Sequence, residues 1–177
     1  RQSGFLMPTF KSSPNKNTFF SMPYFKVLSE NKDITLTPRL YAKDQLLLQS
    51  EYRELNKNSS ILSDFSFLTE KKRTEGHLFF FLYQILDLKN FSNSNIYLSF
   101  AQISHDTYLT ANILNSPIIK DFDVLKNSIE LNMYSEDTSI DTDFIIYEKL
   151  NKQSSDKYEF IFPRIEISKI IENKTAL

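Results

Sequence analysis

Two histidines and their acidic neighbours are the first place to look for chemistry in this chain. His105 stands beside Asp106, a base next to a carboxylate, and His77 is the other imidazole. Acid-base or nucleophilic catalysis also needs a third partner and an activated nucleophile at a recognisable spacing. The sequence contains no GxSxG elbow, no HExxH pair, no glycine-rich phosphate loop and no calcium loop. Zero cysteines remove thiolate catalysis, disulfides and cysteine-based zinc sites together. Hydrogen bonding within a loop is the reading left for His105. The chain is therefore expected to be no enzyme and to use no metal or cofactor.

Charged side chains offer a second kind of chemistry, non-covalent recognition. Glu51 and Arg53 share one strand face, and Arg39 and Arg164 join them by charge as groups able to bond phosphate or sugar oxygens. The plainer reading of all four is a solvated polar ladder. EKKR at 70–73 reads as a basic hairpin tip. A net charge of -1 and a pI near 6.2 supply no basic field, so nucleic acid is not an expected partner.

The elements that position these groups alternate with period 2, in segments of about ten residues separated by polar turns. In 33–41, Ile34, Leu36 and Leu40 oppose Asp33, Thr35, Thr37 and Arg39. In 46–55, Leu46, Leu48 and Tyr52 oppose Gln49, Glu51 and Arg53, and in 61–69, Ile61, Phe65 and Phe67 oppose Asp64 and Ser66. The rule continues with Ile96, Leu98 and Phe100, with Ile129, Leu131 and Met133, and with Ile140, Phe144 and Ile146. In the last segment, Tyr158, Phe160 and Phe162 give way to Ile165 and Ile167, a parity switch around Pro163 that predicts a β-bulge. Residues 104–123 lack alternation, contain Pro117 and read as a long loop. The expected fold is all-β, an antiparallel meander of about ten strands.

What the two faces of such strands meet is open at this level. Mean hydropathy of -0.35 with 16 Phe, 9 Tyr and only 2 Gly suits a transmembrane barrel, in which half of each strand faces water. Tyr24, Phe25, Tyr41, Tyr52, Tyr83, Tyr97, Tyr108 and Tyr147 would then be candidates for the aromatic girdles at the membrane interfaces. A soluble β-sandwich with the same aromatics in its core fits the alternation equally well. A membrane-spanning helix does not fit, because the longest apolar run, LFFFLY at 78–83, is far short of the roughly 20 residues required.

Particular segments separate these readings. RQSGFLMPTFKSS, then FFSMPYF, a polar loop, DITLTPRLY and QSEYREL resemble, in order and spacing, the start of the barrel in the lipopolysaccharide-assembly outer-membrane family, also called organic solvent tolerance proteins. SHDTYL at 104–109 and FPRIEI at 162–167 fit the same family more weakly. The resemblance implies a translocon in the outer membrane, a barrel of about 26 strands around a plug lipoprotein. It also implies a periplasmic jellyroll that docks a bridge protein edge to edge. Lipopolysaccharide leaves through a lateral seam between the first and last strands. Residues 1–177 would be the first strands of that barrel, a piece of a longer chain without the jellyroll or the closing strands.

Under this resemblance Pro8 and Pro23 match the prolines of the first two strands that weaken the seam; the plainer reading of each is an ordinary edge-strand proline or a turn boundary. Proline has no N–H and deletes a ladder bond where lipid offers no replacement. Pro38 and Pro163 fall in other strands and receive no such role. Arg39, Glu51, Arg53 and Arg164 become candidates for contact with passing lipopolysaccharide. A general porin shares the alternation without needing prolines in its first strand. Taken alone, ten strands leave two unpaired edges and an uncovered apolar face, so the isolated piece is expected to aggregate or to need detergent.

Overall fold

A computed structural model describes residues 2–12, 18–42, 45–70, 73–152 and 155–171. The strands are β1 Gly4–Phe5, β2 Thr9–Lys11, β3 Phe19–Ser21, β4 Tyr24–Ser29, β5 Lys32–Tyr41, β6 Gln45–Leu55, β7 Ser59–Glu70, β8 Arg73–Ile85, β9 Asn93–Ile103, β10 Val124–Tyr134, β11 Thr138–Lys149 and β12 Tyr158–Lys169. One short helix, α1 Tyr108–Ala111, lies between β9 and β10. All twelve segments belong to a single antiparallel sheet, and from β4 to β12 each segment pairs with the next in sequence.

The first four segments are two strands, each interrupted. β1 pairs with β4 and β2 with β3, while β3 and β4 both pair with β5 in one continuous register. Among the described residues the strands therefore number ten, against the about ten that the alternation predicts, with the first hairpin broken across its middle. The sheet is a meander, and β1 does not meet β12.

Directly opposed residues share a face, so the registers sort every side chain. On one face lie Asp33, Arg53, Glu51, Asp64, Phe79, Ala101, Ser128 and Asp143. Residues 104–123 fold over part of this face, which is called inner below. The other face carries Phe65, Phe67, Leu78, Phe100, Ile129, Phe144, Phe160, Phe162, Ile165 and Ile167, all exposed. Ile129 is 52% exposed, Phe162 60% and Ile167 66%. A sandwich would cover this face with a second sheet, and among the described residues there is none. An open apolar face of this extent is what lipid contact requires and what water penalises.

The bulge expected at Pro163 is present. β11 and β12 shift register between Asp143 and Ile145, so Phe162 and Pro163 stand opposite Phe144 alone. The extra residue keeps Phe160, Phe162, Ile165 and Ile167 on the outer face despite the change of parity. The girdle expectation needs correction. Phe25, Tyr41, Tyr83, Tyr97 and Tyr147 fall on the inner face by register, and Tyr108 is buried between the sheet and the connection of which it is part. Only Tyr24 and Tyr52 of the proposed set share the outer face, opposite Phe5 and Ile34.

Placing a charge at the centre of the outer face tests which solvent it meets. Ile129→Arg is expected to cost the bilayer-inserted protein about 2–4 kcal/mol. Denaturant titration of vesicle-folded protein reads this directly, and an unchanged midpoint would mean that the face is not lipid-exposed.

Candidate functional site

The inner face holds an apolar seat that strict alternation would not place there. Leu47, Leu68, Phe79 and Ala101 are buried on this face of the sheet, and Tyr108, Leu109, Leu114 and Ile119 from 104–123 pack onto them. The segment starts at β9, reaches back over β8, β7 and β6 as far as β5, and returns to β10. It acts as a strap across the inner wall.

Polar contacts clamp the strap along its length. At its root, Ser104 N donates to the Gly76 carbonyl at 2.9 Å and Ser104 Oγ accepts from Gly76 N at 2.9 Å. Gly76 has to be glycine, because a Cβ there would lie 2.3 Å from the Ser66 carbonyl oxygen. His105 Nε2 meets Glu75 Oε2 at 2.8 Å, and Asp106 meets Lys157 Nζ at 2.9 Å. Asp106 and Glu148 together hold the Lys157 ammonium above its usual range. At the centre, Tyr108 hydroxyl lies 2.8 Å from Ser66 Oγ. Burial pushes that phenol from 10.0 up to about 12. The fold thus favours the neutral form, and its support for the strap is full below the ordinary phenol value and fades as pH rises toward the shifted one.

The far end of the strap is held by Arg39. Its Nη1 donates to the carbonyls of Asn112 at 2.8 Å and Ile113 at 3.1 Å, just past the end of α1, and its guanidinium lies 5.1 Å over the Phe19 ring. Ile113 has φ of 52°, a left-handed conformation that a β-branched residue adopts only under constraint. Gln49 Nε2 adds bonds to Asn115 carbonyl at 2.8 Å and Asp64 Oδ1 at 3.0 Å.

Asp64, His77 and Ser66 lie together beneath this lid. Ser66 Oγ is 2.7 Å from His77 Nδ1, and His77 Nε2 is 3.2 Å from Asp64 Oδ1 without hydrogen-bond alignment. The three residue types are those of a hydrolytic triad, but each is buried and the serine oxygen is also engaged by Tyr108. The geometry anchors the strap. No cluster of three or more metal-ligating side chains occurs among the described residues.

The other candidates from the sequence occupy the inner face at separate places. Arg53 pairs with buried Asp33 at 2.7 Å, with Phe25 6.0 Å away. Glu51 is half-buried directly opposite Asp64. Arg164 bonds Asp143 through Nε at 2.8 Å. These are cross-strand pairs spread over the wall, and Arg39 alone of the four touches the strap. Pro8 and Pro23 mark the interruptions of the first two strands. Leu6, Met7 and Pro8 stand opposite only Met22 and Pro23, and one bond, Leu6 N to the Pro23 carbonyl at 2.8 Å, crosses there. Extending the β5 register across the gap sets Pro23 opposite Thr37 and Met22 opposite Pro38. Three prolines thus lie at one level on three neighbouring strands.

Sequence reasoning missed the apolar seat and the strap's reach. The available signal was local: LLL at 46–48 and FFF at 79–81 are apolar on both faces at once, as strands covered on both sides must be.

A single open sheet, apolar outside and polar inside, with its longest connection folded onto the inner wall, is part of a large transmembrane β-barrel. No family model matches the chain. It is similar to the LPS-assembly protein LptD of Paraburkholderia xenovorans, 34% identical over 109 residues, which cover 61% of this chain and 14% of that protein. The LptD of Pseudomonas aeruginosa strain UCBPP-PA14 is 38% identical over 71 residues, 40% of this chain and 8% of the relative. That of Chromobacterium violaceum is 43% identical over 60 residues, 34% and 8%. The chain is LptD-like over a stretch that spans 14% or less of these curated relatives.

Arg39→Met should release the strap while leaving the wall intact. It removes two charge-assisted bonds, each of the order of 1.5–3 kcal/mol. Limited proteolysis is expected to cut 112–118 several-fold faster in the variant, with unaltered strand content by circular dichroism. Equal cleavage rates would show that Arg39 does not hold the strap.

Proposed function

We propose that this chain is the opening part of an outer-membrane barrel that delivers lipopolysaccharide to the cell surface, and that its proline-broken first hairpin is where the wall parts. The observation that carries this reading is the uneven ladder. The first hairpin keeps two paired positions on one side of its break and three on the other, whereas β7 and β8 pair without interruption along all 12 residues of β7. In lipid every unpaired backbone group costs several kcal/mol, so a barrel tolerates such a gap only where it serves a purpose.

The relatives' printed name supplies the cargo class, and the two faces supply the means. An apolar outer wall suits acyl chains and membrane lipid, while the polar inner wall suits sugars and phosphates. The end that carries 104–123 is the cell-exterior end, since barrels of this type have short periplasmic turns and long outer loops. The resemblance further assigns a plug lipoprotein inside the barrel and a periplasmic bridge protein that docks on a jellyroll domain outside 1–177. The role is transport without covalent chemistry, with the driving energy supplied elsewhere. The first-strand prolines favour this over a general porin, which needs no weak seam.

Alanine at Pro8 and Pro23 in the full-length protein tests the proposal. Each substitution returns an N–H to the ladder, worth about 0.5–1.5 kcal/mol per bond formed. The double variant is expected to assemble normally yet deliver lipopolysaccharide to the surface several-fold more slowly, with greater entry of bulky hydrophobic antibiotics. Delivery at the parental rate would remove these prolines from the mechanism.

A further inference from the structure

Phe81, Tyr83 and Tyr97 form a row of half-buried rings in the wrong place for either obvious purpose. They are on the inner face, away from lipid, and they lie along β8 and β9 beyond Phe79 and Ala101, where Tyr108 and Leu109 sit. Tyr97 has its ring centroid 4.9 Å from that of Tyr83, with 34° between the planes, and 6.5 Å from that of Phe81, with 45°. Phe81 and Tyr97 form one side of a cleft of about 400 Å³ between the wall and the returning limb of the strap, with Tyr83 packed against Tyr97. Such a volume is in the range of small-ligand sites.

Polar groups converge on the same cleft. Glu130 stands directly opposite Tyr97 and Ser128 opposite Ser99. Ser128 Oγ donates to Glu130 Oε1 at 2.7 Å, and Lys126 bonds the same carboxylate oxygen. Lys120 and Asp121 enter from the strap side. Both members of the Lys126 and Glu130 pair remain partly exposed, so each has bonding capacity left.

Flat apolar rings beside two carboxylates, two hydroxyls and two ammonium groups match the chemistry of a sugar. A pyranose offers an apolar C–H face to stack on a ring, and its hydroxyls both donate and accept. Lysines would meet a phosphate or carboxylate carried on the sugar. An acyl chain would strand the charges, whereas a bare anion would leave the rings unused. We propose that Phe81, Tyr97, Lys126, Ser128 and Glu130 form a saccharide subsite on the inner wall, taking the sugar portion of lipopolysaccharide. The inference rests on the transport reading above and deepens it.

The test uses the full-length protein with its partners, reconstituted in vesicles and supplied with lipopolysaccharide, carrying a photo-crosslinking residue at Val124, which lines the cleft. A lipopolysaccharide adduct is expected. Tyr97→Ala and an excess of oligosaccharide freed from its lipid should each lower the yield several-fold. Tyr97→Phe, which keeps the ring, should restore it, and free lipid A should not compete. If lipopolysaccharide reaches the vesicles while the adduct is absent or indifferent to Tyr97→Ala and to oligosaccharide, the subsite is wrong and transport stands. If no lipopolysaccharide reaches them although the barrel is assembled, the transport reading fails and the subsite with it.

Discussion

Within a bilayer there is no water to satisfy a peptide group, so each N–H and C=O of a spanning strand must find its partner in the neighbouring strand. That requirement accounts for the long uninterrupted ladders from β5 to β12, apart from the single bulge that re-aims β12. It also explains a detail between β9 and β10. Their pairing ends at Ser99 and Ser128, and just beyond it Ala101 N donates to Asn127 Oδ1 at 2.8 Å while Asn127 Nδ2 donates to the Ala101 carbonyl at 3.2 Å. One side chain completes what the ladder leaves open. Against such completion, the gap at Pro8, Pro23 and Pro38 stands out as the place where the wall has least to hold it.

The same wall separates two environments, and the strap shows how the inner one is managed. Part of the inner face carries cross-strand ion pairs such as Asp33 with Arg53 and Asp143 with Arg164. The other part is apolar and is covered by the chain's own connection. Because Phe19 lies between Arg39 and Tyr41, 5.1 Å from the guanidinium and 5.5 Å from the phenol ring, the latch for the strap also touches the second strand. Closure of the inner wall and order in the weak hairpin therefore share residues.

The alternating faces of β5, β6, β7, β10 and β11 and the bulge at Pro163 are legible in the sequence by local rules, period 2 and parity, whereas the reading of Pro8 and Pro23 as weak points comes from the family resemblance. The strap is not legible by those rules. Arg39 and Asn112 are 73 positions apart, and nothing near either residue signals the other. The girdle reading of Tyr41, Tyr83, Tyr97 and Tyr108 follows from aromatics near strand ends, although alternation alone sets Tyr97 on the polar face with Asn95 and Ser99. The registers turn Tyr41, Tyr83 and Tyr97 inward and the connection buries Tyr108, and the apolar runs at 46–48 and 79–81 are the local trace of a connection that folds inward.

The most direct measurement is photo-crosslinking at Phe5, Leu6 and Met7 in turn, in growing cells that make the full-length protein, with Ile129 on the distant outer wall as reference. If the first strand borders an exit for lipopolysaccharide, adducts should form there in preference to Ile129 and should differ between adjacent positions as the strand alternates its faces. Adducts absent from all three positions in a correctly assembled barrel, or no more abundant than at Ile129, would contradict release through the proline-broken hairpin.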